Sequence, residues 1–333
     1  MSGEFITTRA SKAKAVSIII PVYNIQDYIA EAIKSVLNQT RHADELIIID
    51  DGSTDRTGEI VKSFGDAVTY IAQTNTGAAV ARNRGIEFSH GDWIAFLDGD
   101  DIYEPQKLEW QLALLEANPS LKWCYGNYRV KFFGTDLDSL SQDSNTAKHD
   151  LAEKPIFCDY LKVYAAGFPA HTNTMIIQKS VLQEIGGFRT ELPWGQDADL
   201  AFRIAYRYPQ VGYLTQPLAL VNFRRPGSIT EANKYNVEER CRFLTYHLKL
   251  SGQFGKRNGF EPCARRMLIH WIRQLFNGGD MKDTVSMCRQ FRDLIPARLR
   301  WETEIRAAAP WSDKLFQFYF SIKKHLKTNK HFP

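Results

Sequence analysis

Three carboxylates crowd the four positions Asp98-Gly99-Asp100-Asp101, directly after the apolar run Trp93 to Leu97. Carboxylates this close repel one another unless something positive joins them. Oxygen ligands at a strand end suit a hard divalent cation such as Mg²⁺ or Mn²⁺, and Gly99 lets the backbone pass close to a ligand. A cation held there would stabilise negative charge building up on a leaving group. A turn also favours Asp and Gly, but three carboxylates closing a wholly apolar strand favour the cation. A second acidic pair, Asp50-Asp51, follows the apolar run Glu45 to Ile49. Alone it reads equally well as a turn and helix cap. Arg82 stands one to two turns into a helix opened near Gly77, with Asn83 and Arg84 beside it. It can face a ligand or solvent. Asp197 and Asp199 are two residues apart, so they do not share a helix face. One can point into a cleft as a general base while the other caps the helix.

These residues need strands and helices to hold them. Val16 to Ile20 is an apolar run broken only by Ser17, as expected of a strand buried on both faces, and Pro21 is expected to end it. Ile29, Ile33, Val36 and Leu37 form one helical stripe. Glu45 to Ile49 predicts a second strand, with Ser53, Thr54 and Asp55 as N-cap candidates for the next helix. Val68 to Ala72 predicts a third strand, Gly77 to Ile86 a helix, and Trp93 to Leu97 a fourth strand. This alternation is that of an open α/β sheet, in which ligands bind outside the carboxyl ends of the strands. The polar stretch 134–150 reads as a flexible loop. Further on, the pattern predicts a strand at Thr174 to Ile177, a helix through Asp197, Arg203 and Ala205, and two strands, near Tyr213 and at Ala219 to Phe223. Beyond Pro226 helical periodicity replaces strands.

The 333 residues suit a large domain with an appendage. With 44% hydrophobic and 24% charged residues the composition is that of a globular protein. A net charge of only +4 does not call for nucleic acid as a partner. Basic residues gather in the final third, among them Arg265, Arg266, Arg273, Arg298, Arg300, Lys323, Lys324 and Lys327. They read as a solvated helix face, an oligomer contact, or a surface for anionic lipid at the inner face of a membrane. Five scattered cysteines without a CxxC pair predict buried free thiols in a reducing compartment. The N-terminal residues lack the apolar run of a secretion signal, and no stretch approaches the ~20 apolar residues of a membrane span. The expectation is a cytoplasmic protein.

Six ordered segments resemble family-2 glycosyltransferases of the GT-A fold. They are VSIIIPVYN at 16–24, ELIIIDDGSTDRT at 45–57, NTGAAVARNRGI at 75–86, GDWIAFLDGDDIYEP at 91–105, IGGFRTELPWGQDADLAFRIA at 185–205 and FRRPGSIT at 223–230. The resemblance implies an α/β fold with a Rossmann-like, mostly parallel mixed sheet between helices. It implies a catalytic domain at 15–230, with a nucleotide-binding half at 15–115 and an acceptor half at 116–230, after a polar tail at 1–14 and before a helical region at 231–333. It further implies a nucleotide-sugar donor, most often a UDP-sugar, with dTDP and GDP also open, and a saccharide or lipid-linked saccharide acceptor. Pro21 and Tyr23 would then flank the base and Asp51 would bond it. Arg82 would lie near base or phosphates, Asp98 at the ribose or sugar, and Asp100 on Mn²⁺ or Mg²⁺ with Asp98 beside it. Trp194 and Gln196 would stand on the acceptor side, with Asp197 as general base. Two departures stand out. Gln196 replaces the glutamate of the family's Glu-Asp pair, and the histidine often found near Phe223-Arg224-Arg225 is absent. The Gln-x-x-Arg-Trp motif of processive members is missing too, which favours transfer of one sugar. A non-catalytic sugar-nucleotide-binding module is the alternative. A Rossmann dehydrogenase is excluded because PVYN, not GxGxxG, follows the first strand.

Overall fold

A parallel strand with apolar side chains on both faces needs cover on both sides, and this requirement organises the chain. The computed structural model describes residues 14–132, 138–141, 155–223 and 236–308. The chain divides into two units, 1–233 and 234–333.

In the first unit β1 (Val16–Val22), β2 (Glu45–Asp50), β3 (Thr69–Ala72) and β4 (Trp93–Phe96) are joined by helices α1 (Ile29–Leu37), α2 (Thr57–Lys62) and α3 (Ala78–Phe88). Val16, Ile18, Ile19, Ile20, Ile47, Ile48 and Ile49 are all fully buried. Beyond them come β5 (Ile102–Tyr103), α4 (Lys107–Ala117), β6 (Trp123–Phe132), β7 (Asp138–Leu140), β8 (Ile156–Phe157), α5 (Tyr160–Ala166), β9 (Ile176–Gln178), α6 (Lys179–Ile185), α7 (Gln196–Arg207) and β10 (Val211–Phe223). The sheet order is β3-β2-β1-β4-β9-β6-β10-β5, with β7 on β6 and β8 on β10. The longer ladders, β1 on β2, β1 on β4, β2 on β3 and β6 on β10, are parallel. β9 runs antiparallel to both β4 and β6. Strands β4 and β6 therefore point the same way, and their carboxyl ends open on one edge.

Several local expectations are corrected. β1 continues through Pro21, which pairs with Ile49. Ile19 faces β4, since its carbonyl accepts from the Leu97 N–H at 3.1 Å. Pro21 has the same parity and faces the same side, where β4 has already ended, so its missing N–H leaves no ladder bond unmade. The strands expected near Tyr213 and at 219–223 are one strand, β10, whose register shifts on both sides of Pro217. Of the three cap candidates only Asp55 serves α2, accepting from the Thr57 N–H at 2.9 Å. Ser53 instead accepts from Asn24 N–H at 3.0 Å, tying the loops after β1 and β2 together. Strand β9 starts at Ile176, two residues after the expected Thr174. Much of the loop expected at 134–150, and FRRPGSIT beyond Phe223, lie outside the described residues.

The second unit is helical where described, with α8 (Val237–Gln253), α9 (Arg257–Gly278), α10 (Met281–Gln290) and α11 (Ala297–Ala308). Phe243, Leu244, Leu268, Ile272, Leu275 and Met287 form its buried side. No described helix is long and apolar enough to cross a membrane. All five cysteines are free. Four are buried as expected, but Cys158, in the turn after β8, is exposed.

One buried residue breaks the apolar pattern. Lys107 opens α4 with no exposed surface, its Nζ donating to Gln111 Oε1 at 2.6 Å and lying 4.3 Å from the centre of the Tyr103 ring. Gln111 in turn donates to the Thr174 carbonyl at 2.7 Å. Burial brings the Lys107 ammonium down to about 7, the thiol of Cys124 opposing slightly. An unfolded lysine titrates near 10.4, so between pH 7 and ~10.4 the unfolded chain holds the extra proton and stability rises with pH. The cost is fully felt below pH 7. Urea unfolding of wild type and Lys107→Met across pH 6 to 10 should show the wild-type midpoint rising relative to the variant above pH 7. Parallel pH profiles would exclude a depressed lysine.

Candidate active site

The edge where β1, β2 and β4 end gathers the polar residues. At the end of β1, Pro21 is half-buried, the Tyr23 ring is 48% exposed, and Asn24 holds a left-handed turn at φ 49°. Asn24 Oδ1 accepts from the Thr54 N–H at 2.8 Å. Two strand ends are thus stitched into one rim, with a flat aromatic face turned outward.

Asp51, at the end of β2, is buried and already engaged. Its Oδ1 accepts from Gln73 Nε2 at 2.7 Å, from Thr76 N–H at 2.9 Å and from Thr76 Oγ1 at 3.3 Å. Its Oδ2 accepts only Gly77 N–H, at 2.7 Å, and keeps a lone pair for a ligand. Asp51 therefore fixes the loop that launches α3. Neighbouring Asp50 accepts from Tyr70 Oη at 2.6 Å, and burial first, then that bond, pushes the Tyr70 phenol up to about 12.

Helix α3 delivers Arg82, whose environment settles the choice left open by the sequence. The residue is 8% exposed. Its Nη2 donates to Asp98 Oδ1 at 2.5 Å and its Nη1 to Gln196 Oε1 at 2.8 Å. The guanidinium lies 5.3 Å from the centre of the Phe188 ring, which meets Phe96 edge-on at 5.1 Å. Arg82 Nε is buried and has no hydrogen-bond partner. One cation thereby joins the end of β4 to the start of α7, Arg82 itself standing 114 residues from Gln196 in sequence. Gln196 uses its amide fully, since Nε2 donates to the Leu192 carbonyl at 2.9 Å. A glutamate there would set a carboxylate against that carbonyl.

The turn Asp98-Gly99-Asp100-Asp101 is held by two asparagines that carried no sequence signal. Asn173 is fully buried. Its Oδ1 accepts from Asp98 N–H at 2.9 Å and its Nδ2 donates to Asp101 Oδ2. Asn222, on β10, donates its backbone N–H to Asp101 Oδ1 at 2.7 Å and its side-chain amide to the Asp100 carbonyl. Asp101 is a structural tie, and burial, then Asp100 and Asp98, push its carboxyl well above the usual range against the two N–H donors. A Cβ on Gly99 would lie 2.3 Å from Ile25 Cδ1 and 3.1 Å from Val22 Cγ1, so a larger residue there would have to displace the Ile25 side chain.

For a divalent cation these facts leave Asp100, which is half-exposed, and the Asp98 oxygen not bonded to Arg82. No group of three or more ligating side chains exists among the described residues. The pattern fits Mg²⁺ or Mn²⁺, which take one or two carboxylates and complete their shell with water and phosphate oxygens.

The two carboxylates of α7 have opposite fates. Asp199 is fully buried, accepting from Arg203 Nε at 2.7 Å and from Arg189 Nη1 at 3.3 Å. Arg203 also donates to the carbonyls of Ile185 and Gly187, and Asn83 bonds Phe188 through both N–H and C=O. Neither carboxylate caps the helix; Gly195 occupies that position at φ 70°. Asp197 is half-buried and has no side-chain hydrogen bond or ion pair among the described residues. Trp194 stands half-buried two residues before Gln196. The structure thus brings together Arg82, Asp98 and Gln196, sets Asp100 on the asparagine-held turn and Asp197 next to Gln196, and places Pro21, Tyr23 and Asp51 on the rim of β1 and β2.

Asn173→Ala should leave Asp98 N–H and Asp101 Oδ2 without partners and cost about 1–3 kcal/mol. Denaturant midpoints would measure it, and an unchanged midpoint would mean that the turn holds itself.

Residues 17–182 match the family model described as glycosyl transferase family 2. An uncharacterised glycosyltransferase of Rickettsia felis is 34% identical over 195 residues, 57% of this chain and 31% of that protein. The putative teichuronic acid biosynthesis glycosyltransferase TuaG of Bacillus subtilis is 38% identical over 144 residues, 42% of this chain and 57% of that one. The matched part of the chain thus spans between about a third and somewhat over half of these relatives. Among solved structures, TarS 1-349 of S. aureus superposes with a TM-score of 0.61 at 16% identity, over 96% of this chain and 93% of that one. That likeness is one of fold, the GT-A arrangement of a mixed sheet between helices. Together with the strand-end carboxylates and the Asp197 helix, the matches establish that the chain belongs to glycosyl transferase family 2.

Proposed function

We propose that the protein is a metal-dependent, inverting glycosyltransferase that moves one sugar from a nucleotide-sugar, a UDP-sugar in the first instance, to a hydroxyl of a saccharide or glycolipid acceptor. The observation that carries this reading is the Arg82 bridge. It sets the carboxylates after β4 and the first turn of α7 around one site. Among the carboxylates of that site, Asp51, Asp98 and Asp101 are engaged by protein donors, and Asp197 is not. An unengaged carboxylate is the one able to accept a proton.

Two relationships support the finer points. TarS 1-349 has been solved with UDP-GlcNAc and with UDP, which favours uracil as the base. TuaG carries teichuronic acid biosynthesis in its name, which favours a polysaccharide product. In this mechanism Tyr23 offers its exposed ring to the base, and the free lone pair of Asp51 Oδ2 accepts from the base. Asp100 and Asp98 would hold Mn²⁺ or Mg²⁺, whose charge would offset that of the departing diphosphate. Asp197 removes the acceptor hydroxyl proton, the oxygen forms its bond to the anomeric carbon, and the carbon–phosphate oxygen bond breaks with its electron pair leaving on the nucleoside diphosphate. Gln196 cannot act as the base, being a neutral amide bonded at both ends.

A positioned general base contributes ~10²–10⁴-fold. Asp197→Asn should lower turnover of UDP-GlcNAc or UDP-glucose by at least that lower bound, while the Mn²⁺-dependent thermal shift caused by UDP stays as in wild type. Near-normal turnover in the variant would remove Asp197 from the base role. Turnover undiminished by EDTA would remove the metal.

A further inference from the structure

The turn from Asp98 to Asp101 rests on supports that lead back to one side chain outside the site. Its underside is held by Asn173, which accepts from the Asp98 N–H at 2.9 Å and donates to Asp101. The next residue, Thr174, is tied in its turn. Its carbonyl accepts from Gln111 Nε2, on α4, at 2.7 Å. The approach to the turn is tied separately. Phe96, the last residue of β4, accepts at its carbonyl from Tyr103 Oη at 2.6 Å. Gln111 and Tyr103 stand on different elements, and Lys107 touches both. Its Nζ donates to Gln111 Oε1 at 2.6 Å and lies 4.3 Å from the centre of the Tyr103 ring.

All of these contacts are closed to water. Lys107, Gln111, Asn173 and Thr174 have no exposed surface, and Tyr103 is 2% exposed. An amine is a costly way to fill such a place. Burial holds it at about 7, and a methionine would occupy similar space without that cost. Residues that break a local rule at a cost in stability gather where function needs them. By its contacts Lys107 makes two supports of one turn depend on one side chain. That turn carries Asp98 and Asp100, and a small octahedral cation tolerates little error in where its oxygen ligands stand.

From these contacts we infer that Lys107 is a positioning residue for the metal site. Through Gln111 and Tyr103 it fixes the turn that sets Asp98 and Asp100 for a divalent cation. It bonds neither carboxylate itself. The inference rests on the metal-dependent reading above and extends it from the two carboxylates to the core behind them.

Titration with Mn²⁺ in the presence of UDP tests this without turnover, read by the loss of the free Mn²⁺ paramagnetic resonance signal. Wild type and Lys107→Met would be compared well below either melting temperature. Lys107→Met should bind Mn²⁺ on the order of tenfold more weakly, the lower end of what losing a ligand-orienting partner costs. Turnover of UDP-GlcNAc or UDP-glucose should need more Mn²⁺ by about the same factor, while its value at saturating Mn²⁺ stays within about threefold. Should Lys107→Met fail to fold, Tyr103→Phe takes its place with the same expectation, since it loses only the hydroxyl bonded to Phe96. Equal Mn²⁺ affinity in wild type and the folded variant would overturn the positioning role. So would turnover lost at every Mn²⁺ concentration, which is collapse of the site and not displacement of its ligands. Absence of Mn²⁺ binding by wild type would overturn the metal reading itself.

Discussion

A guanidinium buried to 92% has to be neutralised and bonded where it lies, and much of this site follows from how Arg82 meets that demand. Its two terminal nitrogens reach Asp98 and Gln196, and its face rests on Phe188. To bring those partners within reach, α3 must start close to the end of β2, which the Asp51 clamp on residues 73–77 arranges. The turn after α6 must also lie against α3, which Asn83 and Arg203 arrange through the backbone of 185–188. With Gln196 in place of a glutamate, Asp98 is the only charged partner of Arg82 among the described residues, so the cation is less fully compensated there. An anionic ligand placed near it meets a field that a second carboxylate would have cancelled.

The turn after β4 shows how a protein holds like charges together. Asp98, Asp100 and Asp101 would separate if left alone. The fold divides them by role: Asp98 goes to an arginine, Asp101 to two N–H donors in the interior, and Asp100 stays at the rim. Asp98 and Asp100 are the two that are not fully buried. The acidic run thus splits into one buried structural member and two at the surface of the turn.

The parts of this arrangement that could be read from the sequence are those whose signal is local. Apolar runs of four to five residues located β1, β2 and β4, and the letters immediately after each run located Asp51 and Asp98 to Asp101. The stripe at Ile29, Ile33 and Val36 located α1, and those residues are buried as the stripe requires. What could not be read depends on pairs distant in the chain. Asn173 sits in a His-Thr-Asn-Thr stretch that any turn could contain, and only the sheet order brings it beneath Asp98. Lys107 and Gln111 are residue types that a helix normally turns to solvent, and only the packed sheet buries them. Pro21 misled for the opposite reason: its local signal is real, but the missing neighbour strand on its N–H side makes it harmless.

The sheet has a narrow seam. Between the half that ends in Asp98 and the half built on β6 and β10 stands, among the described strands, β9 alone, three residues long, paired with β4 over three positions and with β6 over two. Its Ile176 and Ile177 are fully buried, so their size fixes how far apart the flanking strands lie. Reacting atoms misplaced by as little as 1 Å can lose on the order of 10²-fold in rate. A methyl group gained or lost at either isoleucine, with no polar atom changed, would therefore retune the spacing between the two halves of the sheet. The catalytic ruler of this protein is graduated in its aliphatic core.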